Sequence, residues 1–175
     1  MTQRPRLRVP PATPPFHVAL LEPEIPPNTG NVARICVATA SPLHLVGPLG
    51  FRIDEHAVRR AGLDYWHLLD LRRHLDLSHF VHAYASERPE GRRWLFTAHA
   101  ERSFFDAEVH PGDALIFGRE SVGLPEEVCA ANPDDCVGLP TSGGVRSHNL
   151  ANAVAIAVYE ALRKTGALSS PRSEP

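Results

Sequence analysis

The sequence has no long apolar run, which argues against a membrane-spanning protein. No stretch approaches the ~20 apolar residues that a transmembrane helix needs. The first 15 residues contain three arginines and five prolines but no apolar segment of the kind found in secretory signals. We therefore expect neither a membrane span nor a secretory leader.

Cysteine is also scarce, and its spacing predicts no metal site. The three cysteines, Cys36, Cys129 and Cys136, do not form a ligand pattern, which favours reduced thiols in a cytoplasmic protein. Histidines 74, 79 and 82 lie close together, but no carboxylate or cysteine joins them at ligand spacing.

Neither sign of charge dominates the chain. A net charge of −2 and a pI near 6.5 argue against a protein that coats nucleic acid. A local basic cluster remains, formed by Arg52, Arg59 and Arg60. Arginine forks suit phosphate oxygens, so this cluster is a candidate for backbone contacts with a nucleic acid, although a solvated helix face has the same pattern.

The length of 175 residues and the 43% hydrophobic content predict one domain. We place it at residues 16–166, between a disordered leader (1–15) and a flexible tail (167–175). Strand and helix patterns alternate, which favours a largely parallel sheet with helices on both faces. The predicted strands are 16–21, 42–46, 65–71, 93–98, 113–118 and a short one at the start of the stretch 137–154. The predicted helices are 26–38, 54–63, 75–85, 126–131 and 150–164.

The strand ends at 97–98, 118–120 and 139–141 predict one pocket, because ligands of open α/β sheets bind beyond the carboxyl ends of the strands. The last of these ends leads into a loop of small and polar residues, and Ser147 or Asn149 can cap the helix that follows. No G-x-G-x-x-G pattern is present, so a dinucleotide site is not expected. Asn28, Asn31 and Arg34 follow the first strand, where caps and a solvated arginine are also common.

Three segments carry a resemblance to a known family. They are Asn28-Thr-Gly-Asn-Val-Ala-Arg34, Phe117-Gly-Arg-Glu-Ser-Val-Gly-Leu-Pro125 and Leu139-Pro-Thr-Ser-Gly-Gly-Val-Arg-Ser-His-Asn-Leu-Ala-Asn-Ala-Val154. In this order they resemble the motifs of the SPOUT superfamily of RNA methyltransferases. Residues 22–31 and 59–65 are similar to the small bacterial tRNA wobble-position 2'-O-methyltransferases.

The resemblance implies a six-stranded parallel sheet flanked by helices, with a C-terminal trefoil knot. It implies that S-adenosylmethionine binds the knotted loops through Thr97, Gly118, Leu139 and Ser147, largely by backbone groups. It also implies a homodimer that acts on tRNA, with each active site completed by the partner subunit.

The expected reaction is methylation of a ribose 2'-hydroxyl at the wobble nucleotide, cytidine or uridine, of a tRNA. The family's catalytic positions correspond to Arg34, Asn28, Glu120, Ser147 and Asn149. An arginine with a pKa above ~12 is a poor base, so we expect Arg34 to orient the ribose and phosphate or to share the departing proton, and to contact the RNA.

The sequence leaves two other functions open. A related 2'-O-methyltransferase of ribosomal RNA or of another tRNA position would share the three motifs, and so would a non-catalytic RNA-binding dimer. The retained Arg34 and Asn149 favour an enzyme. His148 departs from the family's usual leucine or methionine, and it either titrates beside the reacting groups or packs at the start of the helix.

Overall fold

A set of short apolar strands forms the centre of the molecule. The structure, a computed structural model, describes residues 6–51, 64–169 and 172–174. Its strands in chain order are β1 (Arg6–Arg8), β2 (His17–Leu21), β3 (Leu43–Val46), β4 (Leu71–His74), β5 (Arg93–Phe96), β6 (Ala114–Phe117), β7 (Cys136–Val137) and β8 (Arg172–Glu174).

Strands β2 to β7 form the predicted parallel sheet. Within the described residues it has six strands in the order β4-β3-β2-β6-β5-β7, and every neighbouring pair is parallel. The central strand β2 has β3 on one side and β6 on the other, so the loops after β2 and β6 leave the sheet next to each other. Such a point, where successive connections leave in opposite directions, is where α/β sheets open a crevice.

In the part of the chain that the structure describes, four α-helices cover the sheet: α1 (Pro26–Thr39), α2 (Leu77–Glu87), α3 (Glu126–Ala131) and α4 (Leu150–Lys164). Prolines in the first turn of α1 need no hydrogen-bond partner for their nitrogens, and the Asn149 side chain caps α4 as predicted. Gly166, at φ +74°, ends α4. No helix in the described part of the chain has the length and apolar character to cross a membrane.

The sheet buries both of its faces, because alternate side chains of each strand point in opposite directions. Val18, Leu20 and Leu115 belong to the core beneath α1 and α4, whereas Ala19, Leu21 and Ile116 belong to the core beneath α2 and α3. The two helical layers that the alternating pattern predicts are therefore confirmed.

One predicted strand, residues 65–71, is wrong in position. The chain forms a 3₁₀ turn at Trp66–Leu68 and enters β4 only at Leu71. Tyr65 is held by a hydrogen bond from its hydroxyl to the Gly30 carbonyl oxygen (2.8 Å), so this segment packs on α1 and cannot extend the sheet. The predicted helix 54–63 lies outside the described residues.

The predicted leader and tail contain a short ladder. Arg6–Arg8 pairs antiparallel with Arg172–Glu174, with Leu7 opposite Ser173. Composition predicts whether a segment can bury a core, but it does not predict backbone pairing between two chain ends. This pairing lies within the segments predicted as leader and tail, and the predicted domain bounds of 16–166 stay a prediction.

A row of histidines crosses three strands on the face covered by α2. His17 Nδ1 lies 2.9 Å from His44 Nε2, and His44 Nδ1 lies 2.9 Å from His74 Nε2. His17 and His44 are almost fully buried. Burial lowers the pKa of His17 to about 4 and that of His44 to about 2, and it also lowers the pKa of His74. All three rings are therefore neutral in the folded protein at pH 7.

The histidine row predicts loss of stability in acid. An unfolded histidine takes up a proton near pH ~6.5, whereas these folded rings do so only at lower pH, so the free energy of unfolding falls as the pH drops below ~6.5. Each ring contributes a slope of up to about 1.4 kcal/mol per pH unit. We expect His44→Gln, which keeps a donor and an acceptor, to show a flatter dependence in urea unfolding between pH 7 and 4.5. The exposed His82→Gln serves as the matched control, and equal slopes for the two variants would contradict the expectation.

Candidate active site

The carboxyl ends of three strands open into one cavity of about 890 Å³. Its lining comes from the loops that follow β5, β6 and β7 and from the starts of α1 and α4. The lining residues are Ile25, Asn28, 96–103, 117–123, 138–141, 146–150 and Ala153. The sequence-based prediction that residues 97–98, 118–120 and 139–141 share a pocket is confirmed.

The structure brings most of the predicted site residues to this cavity. Its lining includes the four predicted cofactor positions and four of the five predicted catalytic positions: Thr97, Gly118, Leu139, Ser147, Asn28, Glu120 and Asn149, with Ser147 in both sets. Their shared position shows that they can act on one ligand. Their individual roles remain predictions.

Glu120 connects the loop after β6 to the start of α1. Its carboxylate accepts hydrogen bonds from the backbone N–H groups of Glu24 (2.8 Å) and Ile25 (3.2 Å). The same carboxylate accepts a bond from Asn28 Nδ2 at 3.0 Å. Helix α1 has no side-chain cap of its own, so Glu120 satisfies backbone donors next to its first turn.

Asn28 continues the network to the last motif. Its Oδ1 accepts a hydrogen bond from Asn149 Nδ2 at 3.0 Å. Asn149 Oδ1 in turn accepts from the backbone N–H of Ala151 (3.0 Å) and caps α4. One chain of hydrogen bonds, Glu120 to Asn28 to Asn149, therefore joins three segments that are far apart in the sequence.

The loop after β6 is closely packed against itself. Arg119 and Gly123 exchange two backbone hydrogen bonds, of 3.1 and 2.8 Å. A Cβ atom at Gly118 would lie 2.1 Å from the Gly123 carbonyl carbon, so only glycine fits there. Ser121 donates to the Glu24 carboxylate through both its backbone N–H and its hydroxyl, each at 3.0 Å. These contacts hold the loop in one conformation at the rim of the cavity.

The loop before α4 is open and accessible. Gly143 and Gly144 have φ values of +90° and +81°, which an ordinary residue adopts only with strain. Arg146 and Ser147 follow as exposed residues, and His148 is half-buried. All three side chains border the cavity.

Arg34 lies apart from the other predicted catalytic residues. Its side chain is exposed and does not belong to the cavity lining among the described residues. The guanidinium carbon lies 4.8 Å from the centre of the Tyr65 ring, a cation–π arrangement. Arg34 follows Asn28 by six residues, which is about 240° around a helix, so the two side chains leave α1 in different directions.

The remaining basic residues divide into two groups. Arg52, Arg59 and Arg60, the predicted RNA contacts, lie outside the described residues. The structure adds His99, Arg102 and Arg146 to the cavity lining, and sequence reasoning missed them. Their positions in the sequence could have predicted this, because His99 and Arg102 closely follow β5 and Arg146 directly precedes the motif Ser147.

Comparison with known proteins places these features in a family. Residues 15–159 match the model of the SpoU rRNA Methylase family. The tRNA (cytidine(34)-2'-O)-methyltransferase of Burkholderia pseudomallei (strain 1106a) is 47% identical over 153 residues, which is 86% of this chain and 96% of that protein. The protein of the same description from Acidovorax sp. (strain JS42) is 44% identical over 158 residues, or 89% and 96% of the two chains.

A solved structure supports the same relationship. It comes from work described as structural insights into the 2-OH methylation of C/U34 on tRNA. It superposes with a TM-score of 0.78 at 46% identity, and the match covers 85% of this chain and 95% of the other.

The network around Glu120 predicts a specific loss of stability. In Glu120→Gln, one carboxylate oxygen becomes an NH₂ group that faces N–H donors, so we expect the free energy of unfolding to fall by about 2 kcal/mol in urea titrations. Glu101→Gln removes a charge from an exposed lining residue of the same cavity and should change it by less than about 0.5 kcal/mol. Similar values for the two variants would contradict this role of Glu120.

Proposed function

Because this chain belongs to the SpoU rRNA methylase family, we propose that it transfers a methyl group from S-adenosylmethionine to a ribose 2'-hydroxyl. The proposed substrate is the wobble nucleotide of a tRNA, cytidine or uridine. The observation that carries the proposal is the meeting of three motif segments at one cavity, with Asn28 hydrogen-bonded to both Glu120 and Asn149. The relatives that match nearly their full length at 44–47% identity support the substrate.

The lining of the cavity fits S-adenosylmethionine. Backbone groups at the ends of β5, β6 and β7 can bind polar edges, and Phe96, Phe117 and Leu139 supply apolar surface for an adenine ring. Thr97, Gly118, Leu139 and Ser147 are the residues that would hold it. When bound, the cofactor supplies a sulfonium methyl group, which is already electrophilic.

The chain's own residues then have to position the ribose. The Glu120–Asn28–Asn149 network is bonded at each end to backbone N–H groups, so it presents its remaining polar atoms in a fixed geometry. The Arg34 guanidinium carries hydrogen-bond donors and no acceptor, so it serves to hold the ribose and its phosphate and to stabilise the oxygen as the hydroxyl proton passes to water. Ser147, exposed at the same rim, can accept a hydrogen bond from the substrate or the cofactor.

The position of Arg34 supports a homodimer with shared active sites. Arg34 is exposed and lies outside the cavity of its own chain, so it can act at the cavity of a second copy. Two side chains of α4, Ile156 and Tyr159, are also exposed, and α4 packs directly on α1. An exposed apolar surface on the helix that packs against α1 is suited to pairing with a second subunit.

Three further properties belong to this proposal. The loop between β7 and α4 is the segment that would pass through the trefoil knot, because it leaves the sheet edge and returns to pack α4 against α1. Residues 16–166 would form the single catalytic domain. A tRNA substrate and unpaired cysteines are consistent with the cytoplasm.

Ribosomal RNA is the second candidate substrate, because the matched family is described by rRNA methylation. A non-catalytic RNA-binding dimer is disfavoured, since the relatives that match nearly their full length are described as methyltransferases. One assay separates these possibilities.

The function is tested by methyl transfer from labelled S-adenosylmethionine to total tRNA and to ribosomal RNA, with the product nucleoside mapped by mass spectrometry. We expect a 2'-O-methyl group at the wobble nucleotide. Arg34→Ala should lower kcat by at least about 100-fold, since it removes both charge and positioning, whereas Arg163→Ala, on the exposed end of α4, serves as the control. Methylation of ribosomal RNA alone would replace tRNA by ribosomal RNA as the substrate. Methylation of neither RNA would overturn the proposal.

Sharing of the active site is tested by mixing two inactive variants. Arg34→Ala and Asn149→Ala subunits should each be inactive alone. If Arg34 acts at the partner's cavity, each mixed dimer contains one intact site, and random mixing should restore about a quarter of wild-type activity. If Arg34 acts within its own chain, every site stays defective and no activity returns.

A further inference from the structure

Val122 is an apolar side chain held in an exposed position. It is 73% exposed and lies at the tip of the loop that Arg119 and Gly123 close with two hydrogen bonds. The preceding residue, Ser121, is fixed to Glu24 by two further bonds. The loop therefore cannot relax to bury Val122, and the exposure of this side chain is a fixed property of the rim.

Ile25 is a second exposed aliphatic residue on the same rim. It is 44% exposed and stands directly before α1, where Ser, Thr, Asp or Asn is the usual residue. Pro26 and Pro27 have no N–H, and the Asn28 N–H donates to the Ile25 carbonyl oxygen at 3.1 Å, so a side-chain cap is not needed there. Ile25 and Val122 flank Glu120 from two different loops, and both line the cavity.

We propose, on the basis of the proposed function, that Ile25 and Val122 form an aliphatic rim that packs against the base of the nucleotide being methylated. The 2'-oxygen and the bond to the base are on adjacent carbons of the ribose. When the hydroxyl enters the cavity beside Glu120, Asn28 and Asn149, the base must therefore lie at its rim. Proteins commonly recognise single-stranded RNA by packing side chains on splayed bases.

The aliphatic chemistry of this rim determines which bases it can distinguish. Aliphatic carbons contact the face of a base without hydrogen bonds, so they accept cytosine and uracil equally. The neighbouring polar groups are already used inside the protein: Ser121 binds Glu24, and Glu120 binds the start of α1 and Asn28. The rim therefore contributes affinity for the target nucleotide without choosing between the two pyrimidines.

The experiment compares steady-state kinetics on two tRNAs that differ only in cytidine or uridine at the wobble position. The variants are Val122→Ala, Ile25→Ala and the double variant. Leu75→Ala, which shortens a side chain that is 82% exposed before α2, is the matched control. Thermal unfolding and S-adenosylmethionine binding of each full-length variant report whether the fold and the cofactor site are intact.

We expect Val122→Ala to raise KM for both tRNAs by about fourfold, because it removes two methyl groups that the base half-covers. The double variant should raise it by about thirtyfold, because Ile25→Ala removes three further carbons. kcat, S-adenosylmethionine binding and the ratio between the two tRNAs should stay at their wild-type values.

Two results would overturn the proposal that Ile25 and Val122 pack against the base. One is a KM no different from that of Leu75→Ala, and the other is a loss confined to one of the two pyrimidines. Wild-type protein that methylates neither tRNA would instead overturn the proposed function, and the inference with it. An active wild type with unaffected variants would overturn the inference alone.

Discussion

The candidate site depends on one carboxylate. Glu120 follows β6, yet its hydrogen bonds go to the loop after β2 and to Asn28 of α1. A half-buried carboxylate needs several hydrogen-bond donors, and the N–H groups before α1 need an acceptor. The hydrogen bonds between them satisfy both groups. The parallel neighbours β2 and β6 make this possible by releasing their loops side by side. Asn149 then joins the same network through Asn28, so one local arrangement links the two helix starts to the lining of the cavity.

Much of this arrangement could be predicted from the sequence. Apolar runs predicted five of the six strands of the main sheet near their observed positions, and Asn149 and Gly166 predicted the two ends of α4. The strand ends at 97–98, 118–120 and 139–141 predicted the lining of one cavity, because parallel strands end at a common edge. These successes share a cause, which is that each depends on local pattern or on the general geometry of a parallel sheet.

The rest depends on contacts between distant residues. The segment 65–71 has the composition of a strand, but the bond from Tyr65 to Gly30 holds it on α1. Asn28 and Arg34 belong to one motif, yet six residues of helix separate their side chains by about 240°, so sharing a motif does not bring both to one cavity. Arg102 and Arg146 reach the cavity only through the folding of two loops. The pairing of β1 with β8 likewise joins residues more than 160 positions apart.

The row of histidines has a geometric consequence for the sheet. From one strand to the next, the imidazole is displaced by two residues. His44 stands opposite Ala19, two residues beyond His17, and His74 stands opposite Val46, two residues beyond His44. A one-residue slip of β3 or β4 would point a ring to the opposite face and leave buried nitrogens without partners. The strand β4 is at the edge of the sheet and is only partly buried, so apolar packing alone gives it little to define its alignment. The imidazole row therefore fixes the register of β3 against β2 and of β4 against β3.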